Sequence, residues 1–192
     1  MAGNTENLGG RRGSSLWRIA VWGAAAFLLL SPLAAMQFTA EVDWDGTDFI
    51  VFGAMLFAAC GTFELAVRMT GNCAYRTAVG VAAAAAFLLV WINLAVGIVG
   101  SENNPANLMY GGVLAVGIAG AVIARFQPEG MARALVATAL AQASVAAIVL
   151  FAGLGSTGPV LATTGFFAAL WLISAALFRQ AARQQAAAGA KP

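Results

Sequence analysis

The sequence predicts an all-α membrane protein, a bundle of six transmembrane helices, and three observations predict it. Composition comes first: of 192 residues, 61% are hydrophobic and 9% charged, at a mean hydropathy of +0.83. That is more apolar surface than a water-soluble globule of this size can bury, so the chain needs lipid as its solvent. The second observation is length, because six apolar stretches each approach the roughly 20 residues that a helix needs to cross a bilayer. They fall at 16–38, 48–69, 75–99, 107–126, 131–153 and 159–179 and leave no room for a soluble domain. Residues 1–15 read as a disordered cytoplasmic tail and 180–192 as a frayed polar one.

Charge placement is the third. Arg11, Arg12, Arg18, Arg68, Arg76, Arg125, Arg133, Arg179, Arg183 and Lys191 all fall on one side of these spans. The other side carries Glu41, Asp43, Asp45, Asp48 and Glu102 and no basic residue. Basic residues in short loops stay in the cytoplasm, which puts both termini inside and requires an even number of crossings.

The first span follows a basic pair, Arg11 and Arg12, as a signal peptide would, but its apolar run exceeds the ~7 to 15 residues of a signal core. It is expected to remain as a helix, with Pro32 bending its outer end. In the outer loop after it, Asp43, Asp45 and Asp48 surround Gly46 without the register or closing Glu of a calcium loop. Thr47 is the expected cap of the second helix, with Asp48 at its positive dipole end.

Glu64 is the acid placed inside the second span, roughly 24 Å from Asp48 and so near the inner face. The expected arrangement is an interfacial ion pair with Arg68, at i+4, or with Arg76 across the loop. A proton or cation site facing the bundle is the alternative. Gly71 reads as the C-terminal cap of that helix.

The third span brings Gly80 and the alanines from Ala82 to Ala86, small residues that let helices approach closely in lipid. Asn93, Gly97 and Gly100, at i, i+4 and i+7, share one face of it, and Asn93 is expected to hydrogen-bond a neighbouring helix or loop. In the corner SENNPAN, Asn104 and Pro105 supply a cap and a first helical residue. Along the fourth span run two small-residue ladders, Gly111, Ala115 and Ala119, and Gly117 with Ala121. The fifth is Ala-rich, with Thr138 and Gln142 one turn apart and Gln142 about 16 Å from Met131, near mid-membrane. Pro159 opens the sixth.

Three strings are distinctive: WINLAVGIVGSENNPANLMY, FELAVRMTGNCAYR before it and IARFQPEGMARAL after it. Over roughly residues 41–150 the chain resembles a group of small polytopic bacterial inner-membrane proteins with no assigned activity. The resemblance implies a bacterial inner-membrane location and carries no site residue with it.

A shift of 58 residues aligns Arg18 with Arg76, Phe52 and Gly53 with Tyr110 and Gly111, and Ala66 with Ala124. Three related helical hairpins are the arrangement this suggests.

Enzyme chemistry finds little to use. The chain has no His, which removes the usual haem ligand, zinc ligand and proton shuttle. Neither paired carboxylates within a span, a cysteine cluster nor a phosphate loop is present, so no catalytic, cofactor or metal residue is assigned. Cys60 and Cys73 sit at different depths and read as unpaired. Nothing suggests nucleic-acid binding beyond the basic residues topology already explains.

The expected partners are therefore the bilayer and a membrane protein partner or a second copy of the chain. The expected role is a non-catalytic membrane component or accessory subunit, with a small-solute or cation transporter or channel using Glu64, Asn93 and Gln142 as the alternative.

Overall fold

The computed structural model describes residues 6–190, with side chains from Trp17 onward. Its helices are α1 (Glu6–Ala35), α2 (Gly46–Met69), α3 (Cys73–Ala95), α4 (Met109–Ile123), α5 (Pro128–Phe151) and α6 (Thr157–Gly189), with a 3-10 turn, Pro105–Leu108, leading into α4. Among the described residues all six are long and apolar enough to cross a membrane, counting the 3-10 turn with α4. The protein is all-helical, as predicted.

Helix ends differ from the expected spans at both termini. α1 begins at Glu6, inside the segment expected to be a tail, while residues 1–5 lie outside the described residues. α6 runs through Arg179 to Gly189. Extending an existing helix needs no new nucleus, and the alanines and glutamines after Arg183 are good helix formers.

The chain divides after Glu64 into two compact units. In the first, large side chains space α1 from α2: Trp17 meets Phe63 edge-on at 5.7 Å between ring centroids, and Trp22 lies against Phe57 at 5.5 Å. The start of α2 is closed by Asp45 rather than Thr47. Asp45 Oδ1 accepts from the backbone N–H groups of Thr47 and Asp48, and Asp48 Oδ2 accepts in return from Asp45 N–H. This is a reciprocal capping box, in which a carboxylate two residues before Thr47 takes the free N–H groups. Trp44 completes it by packing on Phe49 at 5.2 Å, a hydrophobic staple.

The second unit, from Leu65 on, holds α3 to α6. The strongest packing joins α5 to α6, α3 to α6 and α4 to α5, whereas α3 meets α4 only sparsely. Among the hairpins expected in this part, α5 and α6 form a packed pair while α3 lies chiefly on α6. Its outer connection explains this: α3 stops at Ala95, and Gly97 and Gly100 take left-handed φ angles of +76° and +72°. Asn93, Gly97 and Gly100 therefore share no helical face, and the loop is long enough to carry α4 away from α3.

Close approach of α4 and α5 depends on glycine. A Cβ on Gly120 would stand 2.6 Å from Ala134 Cβ, and one on Gly130 would stand 2.6 Å from Ala124 Cβ. A Cβ on Gly117, of the second predicted ladder, would stand 3.1 Å from the Thr138 hydroxyl oxygen, whereas Gly111, Ala115 and Ala119 of the first are exposed. The helices meet along Gly117, Gly120 and Ala124.

At the far end of α4, Arg125 and Phe126 both adopt left-handed backbone, with φ of 48° and 58°. Non-glycine residues rarely adopt this conformation, and each costs of order 1 kcal/mol or more. The Tyr75 hydroxyl of α3 donates to the Phe126 carbonyl at 2.9 Å and holds the turn from outside. Further in, Tyr75 packs edge-on against Phe178 of α6, with centroids 5.0 Å apart.

Candidate functional site

Glu64 ends the first unit, and α1 supplies its partners. Arg18 Nη2 lies 2.6 Å from Glu64 Oε1, and the Trp22 indole N–H donates to Oε2 at 2.8 Å. Each oxygen of the carboxylate thus has a partner on α1. Its side chain keeps 10% of its surface and Arg18 keeps 49%, so the guanidinium reaches outward while the carboxylate stays covered. A pair half open to its surroundings contributes less than a buried one, but a carboxylate this covered would be costly without its cation.

Sequence reasoning placed Arg68 or Arg76 opposite Glu64. Arg76 is committed elsewhere, since its Nε donates to the Thr70 carbonyl at 2.7 Å and its Nη2 to the Val67 carbonyl at 2.9 Å. It thereby serves the C-terminal carbonyls of α2, the task assigned to Gly71, whose φ is not among the positive ones. Arg18 was missed because pairs at i+4 are visible in one dimension, and a pair that joins two helices is not.

Asn93 and Gln142 both belong to the second unit. Asn93 does not reach another segment: its Nδ2 donates to Leu89 carbonyl one turn back in α3, at 2.8 Å, and Oδ1 has no partner. Gln142 of α5 is wholly buried, and neither its amide nitrogen nor its oxygen has a hydrogen-bond partner. One turn away Thr138, 1% exposed, donates to its own helix at Ala134 carbonyl. From α6, the Trp171 indole N–H and the Thr164 hydroxyl are also buried without partners, as is the Tyr110 hydroxyl of α4. All of these are uncharged.

Other buried polar groups are matched. Ser174 donates to the Ala78 carbonyl at 2.7 Å and so joins α6 to α3. Asn107 accepts from the Ile98 and Val99 N–H groups at 3.0 and 2.9 Å and donates to the Ser101 carbonyl at 2.7 Å. This clasp carries the backbone of the outer loop into a buried position, with Val99 at 0% exposure. Asn104 caps the 3-10 turn and Pro105 opens it, as the sequence predicts. The sequence signal for Asn107 was its place one turn beyond a cap, where a second Asn has no capping task.

No family model, curated protein or solved structure matches this chain. What the geometry offers chemically is therefore judged on the residues alone. Cys60 and Cys73 are free, and among the described residues no three His, Cys, Asp or Glu side chains come together as metal ligands would. The three residues proposed to line a pathway divide between the two units, Glu64 in one and Asn93 and Gln142 in the other.

Proposed function

We propose that this protein is a non-catalytic component of the bacterial inner membrane, an accessory subunit that packs against another membrane protein or a second copy of itself. The observation carrying this reading is how unevenly the chain covers its own helices. Within the chain, 44% of the apolar window of α5 is buried, against 6% of that of α1. α1 is apolar enough to span a bilayer, and most of its window is exposed. Phe27 of α1 is 73% exposed and Phe57 of α2 is 67% exposed, the kind of large surface that gives helices van der Waals packing in lipid.

Charge supports the rest of the reading. The one-sided distribution of basic residues favours cytoplasmic termini, and the pairing of Glu64 with Arg18 and Trp22 gives its carboxylate a structural task. Purification in mild detergent with a photo-crosslinking residue at Phe27 tests the proposal. A stoichiometric partner or a crosslinked dimer supports it; a monomer that never crosslinks overturns it.

A small-solute or cation transporter is the second reading, favoured by the unpartnered amide of Gln142. Solute flux in proteoliposomes that falls in Gln142→Leu would establish it over the first.

A further inference from the structure

The arginines of this chain divide by whether the fold gives them a partner. Arg18 is paired with Glu64, Arg133 with Glu129 one turn away at 3.2 Å, and Arg76 donates to carbonyls at the end of α2. Arg68 is engaged as well. Arg125, Arg179 and Arg183 are exposed, and among the described residues none of these three has a side-chain hydrogen bond or ion pair.

The contacts of Tyr75 put all three at one end of the second unit. Its hydroxyl donates at 2.9 Å to the carbonyl of Phe126, the residue after Arg125, and its ring centroid lies 5.0 Å from that of Phe178, the residue before Arg179. One side chain from the start of α3 thus touches both the turn after α4 and the α6 segment that carries Arg179. Arg183 follows Arg179 by one turn on the same face of α6. The next residue, Gln184, accepts at 2.9 Å from Asn72, which caps α3.

Arg125 is the informative member. Its N–H donates to the Val122 carbonyl at 3.0 Å and that of Phe126 to the Ala121 carbonyl at 3.2 Å, a Schellman motif with Arg125 at C′. Glycine usually fills this position because the backbone there is left-handed, and here φ is 48°. Membrane topology accounts for a basic residue at this end, but not for one at the position where a side chain is strained. In the turn of α4 just before it, Val122 and Ile123 are 61% and 82% exposed, so the free cation follows directly on an apolar, membrane-facing surface.

We propose that this end of the second unit binds anionic phospholipid, with Arg125 as the principal contact to the headgroup phosphate, Arg179 and Arg183 as further cations at the same end, and acyl chains along Val122 and Ile123. An unpaired guanidinium offers a phosphate two parallel N–H donors together with a full charge. A lipid suits the place better than a free phosphate, because the cation borders a surface that lipid chains already cover. The inference needs only that these helices cross a bilayer, and it holds for an accessory subunit and for a transporter alike.

Native mass spectrometry of the full chain in mild detergent, with equal amounts of phosphatidylglycerol and phosphatidylcholine added, tests it. The unsubstituted protein should retain phosphatidylglycerol in preference. Arg125→Gly should lower that retention about fivefold while raising the Tm, a combination that a merely structural arginine would not give. Arg179→Gln and Arg183→Gln should each lower it as well. Arg133→Gln, which removes a guanidinium already matched by Glu129, should lower it far less.

Equal uptake of the two lipids by the unsubstituted protein overturns the proposal, as does unchanged retention in Arg125→Gly. A loss in Arg133→Gln as large as in Arg125→Gly reduces the effect to net surface charge and overturns it too. Displacement of the lipid by inorganic phosphate alone assigns the place to a free anion, with the same result. If a glutamine variant does not fold, the unsubstituted protein and Arg125→Gly decide.

Discussion

The Tyr75 hydroxyl donates to the carbonyl of Phe126, 51 residues further along the chain, and so ties the start of α3 to a turn in which two successive side-chain-bearing residues are left-handed. Tyr75→Phe removes this bond and leaves the ring contact with Phe178. The expected cost is about 1 kcal/mol, read as a lowered Tm in detergent. Arg125→Gly should move the other way by roughly the same amount, because glycine takes a positive φ without the steric penalty.

Gly120→Ala places a methyl 2.6 Å from Ala134 Cβ, where neither partner is a flexible chain end. α4 and α5 must separate, at an expected cost of ~1 to 3 kcal/mol. Gly111→Ala, with nothing within 4 Å of the added atom, is expected to leave unfolding unchanged. A matched pair of melting curves checks both.

Arg18→Gln removes the guanidinium that α1 holds against the covered Glu64 carboxylate. Destabilisation of about 1 to 2 kcal/mol is expected, less than for a fully buried pair because Arg18 is half open. Adding Glu64→Gln to it should recover part of that loss, and a double-mutant cycle of unfolding free energies measures the coupling.

Asn107→Ala removes three hydrogen bonds and leaves two buried N–H groups, of Ile98 and Val99, without acceptors. The outer loop should open at a cost of ~2 to 3 kcal/mol. Cysteines placed at Ile98 or Val99 would then react with a polar maleimide, which they should resist in the parent protein.

Helix number and approximate position were legible in the sequence because lipid imposes a length that can be counted. Asn104 and Pro105 were legible for a similar reason, since capping is local chemistry. What escaped was what depends on a third dimension. Glu64 takes a partner, Arg18, from another helix, α3 leans on α6 and not on α4, and Gly120 rather than Gly111 sets the α4 contact, because each of these is decided by which helix stands alongside. The end of α3 was missed by four residues: Gly97 and Gly100 look like helix-packing glycines in a string of letters and act as left-handed turn residues in the fold. Of the candidate site residues, burial of Gln142 could be anticipated from its depth, but its lack of a partner could not.

The unbroken course of α6 has a mechanical consequence. Its 33 residues extend about 50 Å at the usual rise, well beyond the ~30 Å thickness of a hydrocarbon layer. Near the overhanging end Gln184 accepts a hydrogen bond from Asn72, which also caps α3, so the projecting portion is braced at its base. Anything held at its tip would be carried on a stiff post and not on a tether, its direction set by the same four helices that form the interior.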